Sequence, residues 1–282
     1  MSKRVSLTAG LAVLCLSVTA GADIVPMASR GITLDQKEVQ MGFDFTLGLN
    51  SGQVGEAWSF GHGVPDGFIA LDRSRNPGRY PAIDLTGYEH QRHSGFRSAF
   101  GILDDLEVGF ALNAFNFTRI RDAQGHVNNS AELGGAEVYV TWAFLPFLGV
   151  ELGFLFPAED WDEHRIGVRL GIPILIPLVE DLFTITLRED MEFFFVKGGP
   201  TIQTFTDLGL TLSPLPEFFL EMFVGFRYGI HRPHGDARLP LGLKVGVTPA
   251  PPLDLGLTFV FGDLLDHGAD ARSLGLSGSF RF

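Results

Sequence analysis

The sequence predicts an all-β protein: a single antiparallel transmembrane β-barrel of about twelve strands, preceded by a signal peptide. Three observations favour this fold. Apolar residues alternate with polar residues or glycine through many short segments, which is the period-two pattern of a strand with one apolar face. The connections between these segments alternate between short and long. The composition combines 35 Gly with 26 Phe, and the apolar residues are spread over alternating positions, as is typical of membrane barrels.

The first 22 residues predict a secretory signal peptide. Lys3 and Arg4 form a positively charged N-terminal region, residues 5–18 are apolar, and small residues follow at the expected cleavage site. The apolar run is shorter than the roughly 20 residues that a spanning helix needs. The single cysteine, Cys15, lies within this segment. We therefore expect a mature chain without a thiol, a disulfide or a lipid. No cofactor is predicted.

The net charge argues against one class of partner. Loss of residues 1–22 removes two positive charges, those of Lys3 and Arg4, and takes the formal charge from −12 to −14. Nucleic-acid binding calls for basic patches, so no nucleic-acid partner is expected.

The sequence predicts that the mature chain consists of a periplasmic lead-in at residues 23–37 and a barrel at residues 38–282, with a long extracellular loop at residues 51–93.

Twelve segments match the strand pattern. In the first, apolar residues alternate with polar residues and glycine from Val39 to Leu49. The other segments begin near residues 96, 106, 138, 150, 166, 183, 202, 218, 241, 253 and 272. Residues 118–132 are polar and predict a loop. Pro173 predicts an early end to the sixth strand, because a central strand loses a ladder hydrogen bond at proline. Residues 191–196 are interpreted as the bulged end of the seventh strand.

The last segment, Arg272–Phe282, ends on an aromatic residue. Its apolar residues share one parity, which only Gly278 interrupts. This segment resembles the terminal strand of bacterial outer-membrane β-barrels. The resemblance implies a porin-like or transporter-like protein in a Gram-negative outer membrane, in contact with lipid and recognised by the barrel-assembly machinery through the strand that ends at Phe282. An even number of strands and the short turns place both termini in the periplasm.

The charged residues on the inward parity form the candidate site. An Arg or Lys that faces lipid at mid-depth costs roughly 2–4 kcal/mol, so these residues are assigned to the lumen. They are Asp44, Arg97, Glu107, Glu137, Glu151, Arg169, Arg188, Asp207, Glu221, Arg227, Lys244, Asp254 and Arg281. Two interpretations stay open at this point: a water-filled pore lined by charges, or an interior filled by a structural network of salt bridges.

The function expected from these patterns is transport. The segments at residues 101–112, 145–156 and 250–260, each of which combines a turn with a strand, resemble those of porin-like transporters of small, often aromatic or apolar, solutes. A passive channel for small solutes is the first hypothesis, and its lumen charges would set selectivity. The alternative is a non-conducting barrel that acts through its extracellular loops, in a binding or structural role. No enzyme is expected, because no histidine base lies in a predicted strand beside a nucleophile.

The extracellular loops contain two further candidate groups. Arg73, Arg75 and Arg79 lie in the longest loop and would constrict the pore if that loop folded inward. Histidine pairs with a two-residue spacing are weak candidates for metal ligands: His90, His93, His231 and His234. Solvated loop histidines are the preferred interpretation, so no metal site is predicted.

Overall fold

The computed structural model describes most of the chain after the predicted signal peptide. The described residues are 24–48, 56–60, 95–112, 115–121, 127–132, 135–156, 166–196, 199–229, 239–262, 264–265 and 272–282. A short 3₁₀ helix, Met27–Ser29, precedes the first strand. No helix within these ranges is long and apolar enough to cross a membrane.

Within these ranges, fifteen strands follow in chain order. They are β1 (Val39–Gly48), β2 (Glu56–Phe60), β3 (Phe96–Leu103), β4 (Leu106–Leu112), β5 (Phe115–Arg121), β6 (Val127–Glu132), β7 (Ala136–Leu145), β8 (Leu148–Phe156), β9 (Ile166–Val179), β10 (Phe183–Val196), β11 (Gly199–Leu215), β12 (Phe218–Gly229), β13 (Leu241–Ala250), β14 (Leu253–Phe261) and β15 (Arg272–Arg281).

The strands form one antiparallel sheet that closes on itself. Around the ring the order is β1, β3, β4 and then β7 through β15, and β15 pairs with β1 from Gln40–Arg281 to Gly48–Ser273. This gives a closed barrel of 12 strands, which confirms the predicted fold. Closure leaves no unpaired edge in the wall, as a sheet within lipid requires.

Two segments predicted as loops contain strands. The predicted loop 51–93 includes β2, which pairs with β1 and β5. The predicted loop 118–132 includes most of β5 and all of β6, which pair with each other. Both predictions were wrong in these parts, because these short strands contain more polar residues than the strands of the barrel wall and so lack a sustained apolar alternation.

The sixth barrel strand, β9, does not end at Pro173. It continues to Val179, and Pro173 lies opposite Arg188 of β10. On its other side the pairing with β8 skips from Gly171 to Ile174, so the missing N–H of Pro173 falls where the ladder is interrupted. Residues 191–196 belong to β10 as predicted, but their register with both neighbouring strands is continuous rather than bulged.

Side chains alternate between lipid and lumen as the sequence pattern predicts. Along β8, Val150, Leu152 and Phe154 are exposed on the outer face, whereas Glu151 and Leu155 are buried on the inner face. The same alternation follows β7. Glu189 of β10 departs from it: the side chain is exposed on the outer face, and its carboxylate accepts a hydrogen bond of 2.5 Å from the Thr206 hydroxyl.

Candidate functional site

The lumen is crossed at one end by the segment that precedes β1, residues 24–38, here called the N-terminal segment. At its C-terminal side it is held beside β3: the Lys37 amide donates to the Gly101 carbonyl at 2.8 Å, and the Gln36 amide donates to the Asp104 carboxylate at 2.9 Å. Lys37 has a positive φ of 71°, which turns the chain from this segment into β1.

The other side of the N-terminal segment is held by the opposite wall. The Ala28 amide donates to the Ser213 hydroxyl of β11 at 3.1 Å, and the Thr184 hydroxyl of β10 donates to the Ala28 carbonyl. In the ring order, β11 lies six strands from β3, which is half of the circumference. The N-terminal segment therefore spans the diameter of the barrel.

A buried ion pair fixes the middle of the N-terminal segment. Arg30 donates from both terminal nitrogens to Asp254 of β14, at 2.5 and 2.7 Å. Both side chains are nearly inaccessible, at 8% and 7% exposure. Asp254 also accepts from Thr248 at 2.7 Å and from Ser279 at 3.0 Å. The carboxylate is thus well satisfied, as a buried charge requires.

The segment predicted as a periplasmic lead-in therefore lies within the end of the barrel from residue 24 onward. Leu34 is 2% exposed, and its amide donates to Glu107 of β4 at 3.1 Å. The sequence does not signal this placement, because the segment has neither a strand period nor a helix period. Arg30 belongs to the lumen charges, although sequence reasoning did not include it.

One half of the lumen is filled by a network of buried charges. Arg169 of β9 pairs with both Glu137 of β7 and Glu151 of β8. Arg188 of β10 pairs with Glu151 and, at 2.9 Å, with Asp190. Arg169 and the three carboxylates are buried. On this side the charged side chains pair with one another.

The network continues to β3 and β4 through an aromatic residue. The Arg97 Nε donates to the Tyr139 hydroxyl at 2.7 Å, and Tyr139 in turn donates to Glu107 at 3.3 Å. The Arg97 guanidinium also lies 4.8 Å from the centre of the Tyr139 ring. The ring itself lies flat over Gly109 of the neighbouring strand, where any larger residue would displace it.

The other half of the lumen is open. A cavity of about 490 Å³ lies above the N-terminal segment and is lined mainly by β10–β15 and β1. Small residues line much of this wall, among them Gly209, Gly256 and Ser277. The charged residues that face it include Asp44, Glu221 and Lys244. The two halves of the lumen therefore differ: one contains paired charges and the other a cavity.

The charged residues predicted to face the lumen lie in two kinds of surroundings, at buried positions and at the wall of the cavity. Glu107, Glu137, Glu151 and Arg169 are buried away from the cavity, Asp254 is buried at the cavity wall, and Asp44, Arg97, Arg188, Asp207, Glu221, Lys244 and Arg281 also line the cavity. Asp190 and Glu192 are also buried charges of β10. They were missed because the alternation was followed only as far as Arg188, and residues 191–196 show no clean alternation. The side chain of Arg227, the candidate constriction residues Arg73, Arg75 and Arg79, and the histidines His90, His93, His231 and His234 lie outside the described residues.

Comparison with known proteins identifies the fold. No family model and no curated protein matches the sequence. Among solved structures, an outer membrane channel from Pseudomonas putida F1 is similar with a TM-score of 0.52 and 9% identity, over 92% of this chain and 100% of that chain. The NanC porin gives a TM-score of 0.46 and 10% identity, over 84% and 98% of the two chains. At such identities the likeness concerns the fold: this chain has the barrel of an outer-membrane channel.

Proposed function

We propose that this protein is an outer-membrane channel for small solutes whose periplasmic end is closed by the N-terminal segment. The observation that carries the proposal is the open half of the lumen, a cavity of about 490 Å³ that ends on a segment spanning the barrel diameter. A purely structural barrel of this size has no need for such a cavity. Passage of a solute requires the N-terminal segment to move.

The orientation follows from the connections. Turns of two or three residues at 104–105, 146–147, 180–182, 216–217 and 251–252 join strand pairs at one end of the barrel. The start of β1 and the end of β15 lie at that end, where Val39 and Phe282 exchange backbone hydrogen bonds of 2.8 and 2.9 Å. Short turns are periplasmic in outer-membrane barrels. We therefore assign both termini to the periplasm, the apolar outer face to lipid, and the strand ending at Phe282 to recognition by the assembly machinery.

The N-terminal segment is suited to move as a unit. Its contacts with β10, β11 and β14 involve only a few side chains, chiefly Ser213, Thr184 and Asp254. Release of these contacts would leave the segment held from Leu34 to Lys37, where the Leu34 amide donates to Glu107 and the Lys37 amide donates to Gly101. The resting state would then conduct little, and a state with the segment released would conduct more.

Conductance in a planar bilayer tests the proposal. The mature protein is compared with a variant that lacks residues 24–34 and keeps the turn before β1. We expect rare or small current steps from the complete protein and frequent, larger steps from the shortened one. Val25→Ala is the matched control, since Val25 lies in the same segment and is 54% exposed; it should behave as the complete protein.

Heat-dependent gel mobility, run on the same samples, establishes that each variant has formed a barrel. A correctly folded shortened variant that passes no current would overturn the channel. In that case the alternative, a non-conducting barrel that acts through its extracellular loops, would be the better account.

A further inference from the structure

The cavity holds an ammonium group that belongs to the protein itself. Lys244 of β13 places its Nζ 3.2 Å from the Glu221 carboxylate of β12. The same nitrogen lies 5.3 Å from the centre of the Phe219 ring. A carboxylate together with an aromatic face is the usual environment of a bound organic cation.

A second carboxylate lies nearby without a close partner. Asp44 of β1 lines the same cavity and is near enough to interact electrostatically with Lys244 and Arg97. Within the described part of the chain, its carboxylate makes no ion pair shorter than 4 Å. Arg97 lies 3.7 Å from another carboxylate, that of Glu107, and donates to the Tyr139 hydroxyl at 2.7 Å. The region around Lys244 therefore has more carboxylate than cation.

The side chain of Lys244 reaches this position across a glycine. A Cβ on Gly256 would lie 2.6 Å from the Lys244 Cε and 2.7 Å from the Ser277 hydroxyl. The lysine stem thus lies on the bare backbone of β14, and its ammonium is presented to the cavity. Lys244 and Glu221 are 25% and 26% exposed, whereas Arg30 and Asp254 are 8% and 7% exposed. Solvent and solutes in the lumen can therefore reach the Lys244–Glu221 pair.

We propose that the cavity binds a small organic cation, with its ammonium group between Glu221 and Asp44 in the position that Lys244 occupies in this structure. Lys244 acts as an internal counter-ion that the solute displaces. This inference rests on the proposed channel, because it names the class of solute that the channel would take.

The charges around the cavity favour a cation over an anion. Most of the cavity cations have a close carboxylate: Arg188 pairs with Asp190 at 2.9 Å, and Arg30 pairs with Asp254 at 2.5 Å. Arg281 lies 4.0 Å from Glu38 of the N-terminal segment, at the closed end. An anionic solute would have to compete with a resident carboxylate at nearly every cation, whereas Asp44 is available to a cationic one.

Isothermal titration calorimetry of the folded mature protein in detergent tests the site, with choline chloride and sodium acetate as probes. We expect choline to bind and acetate to give no heat. Lys244→Met should tighten choline binding about tenfold, because it removes the internal competitor and leaves the carboxylates and the ring in place. Glu221→Gln and Asp44→Asn should each weaken choline binding by about tenfold.

Lys37→Met is the matched control, since it removes a lysine that does not line the cavity; choline binding should be unchanged. The proposal is overturned if choline gives no heat with either the natural protein or the Lys244→Met variant. It is also overturned if acetate binds and Lys244→Met abolishes that binding, or if Lys244→Met fails to tighten choline. Calorimetry does not depend on conductance. A barrel that binds choline but passes no current in any variant would overturn the channel and leave the site standing.

Discussion

The ring of Phe43 on β1 covers Gly278 on β15 across the seam that closes the barrel. The two residues are direct partners in the β1–β15 ladder. A Cβ at position 278 would lie 2.5 and 2.6 Å from two carbons of the ring. The glycine that interrupts the apolar parity of the last strand therefore provides the space for an aromatic residue of the first strand, an arrangement in which an aromatic side chain shields a glycine.

Restoring the apolar alternation of β15 at position 278 should therefore lower the free energy of unfolding. Gly278→Leu places a side chain where the Phe43 ring lies, and overpacking of this kind costs about 1–3 kcal/mol. Urea unfolding from lipid vesicles measures the loss. The double variant Phe43→Ala/Gly278→Leu should recover part of it, since the leucine then fills the space left by the ring.

Leu276→Val provides the control for this seam. Leu276 lies on the same strand and the same face and is 54% exposed, so its stability change should stay within about 0.5 kcal/mol. Equal stability of Gly278→Leu and the natural protein would show that the ring moves freely off the glycine.

The architecture of the barrel wall could be predicted from the sequence because the lipid imposes a strict rule on it. Outward positions are predominantly apolar, and strands such as β7 and β8 show an uninterrupted period of two. Where this pattern is weak, the prediction fails. Strands β2, β5 and β6 are only five to seven residues long, and no sustained apolar alternation marks them in the sequence.

The inward parity of the charged residues could also be predicted, but their partners could not. Glu151 and Asp44 share that parity, yet Glu151 lies between two arginines whereas Asp44 faces the cavity. The difference depends on which strands are neighbours around the barrel and on where the N-terminal segment lies. That segment enters the lumen through contacts such as Arg30 with Asp254, which are separated by 224 positions. No local pattern encodes such a pair.

The Arg30–Asp254 pair makes a prediction about the N-terminal segment. Asp254→Asn removes the charge that holds Arg30, and an unpaired buried charge is strongly destabilising, by about 3–5 kcal/mol when the partner is lost entirely. The segment should open more often. Trypsin should then cleave after Arg30 at least about tenfold faster, because cleavage of a transiently opened segment follows its open population.

Mass spectrometry of the released N-terminal peptide gives the rate. Glu221→Gln serves as the control, because it removes another lumen carboxylate that Arg30 does not contact. If cleavage after Arg30 is equally slow in Asp254→Asn and in the natural protein, the ion pair does not hold the segment in place.

The central arginine of the charge network should be far more important for stability than the cavity lysine. Arg169 is 4% exposed between two carboxylates that are each 2% exposed, so Arg169→Met leaves both carboxylates buried without it. We expect a loss of about 3–5 kcal/mol. Lys244→Met removes a cation that is 25% exposed and should cost about 1 kcal/mol or less.

Urea unfolding of both variants from lipid vesicles makes the comparison. The double variant Arg169→Met/Glu137→Gln should be more stable than Arg169→Met alone, because it removes one of the buried negative charges. Similar losses for Arg169→Met and Lys244→Met would mean that water reaches the network as readily as it reaches the cavity.

Gly109 supports the same half of the lumen from the side of β4. The Tyr139 ring lies over it in contact with the backbone, and the ring is 2% exposed. Gly109→Ala should push the ring away and break the 2.7 Å hydrogen bond from Arg97, with a loss of about 1–3 kcal/mol. Gly42→Ala is the matched glycine control, since a Cβ there would meet its nearest atoms at 3.6 and 3.8 Å, an ordinary contact distance.

In a Tyr139→Ala background, Gly109→Ala should cost little, because the two residues are coupled through this contact. If Gly109→Ala lowers stability as much in the Tyr139→Ala background as in the natural protein, it acts on the backbone and not through the Tyr139 ring.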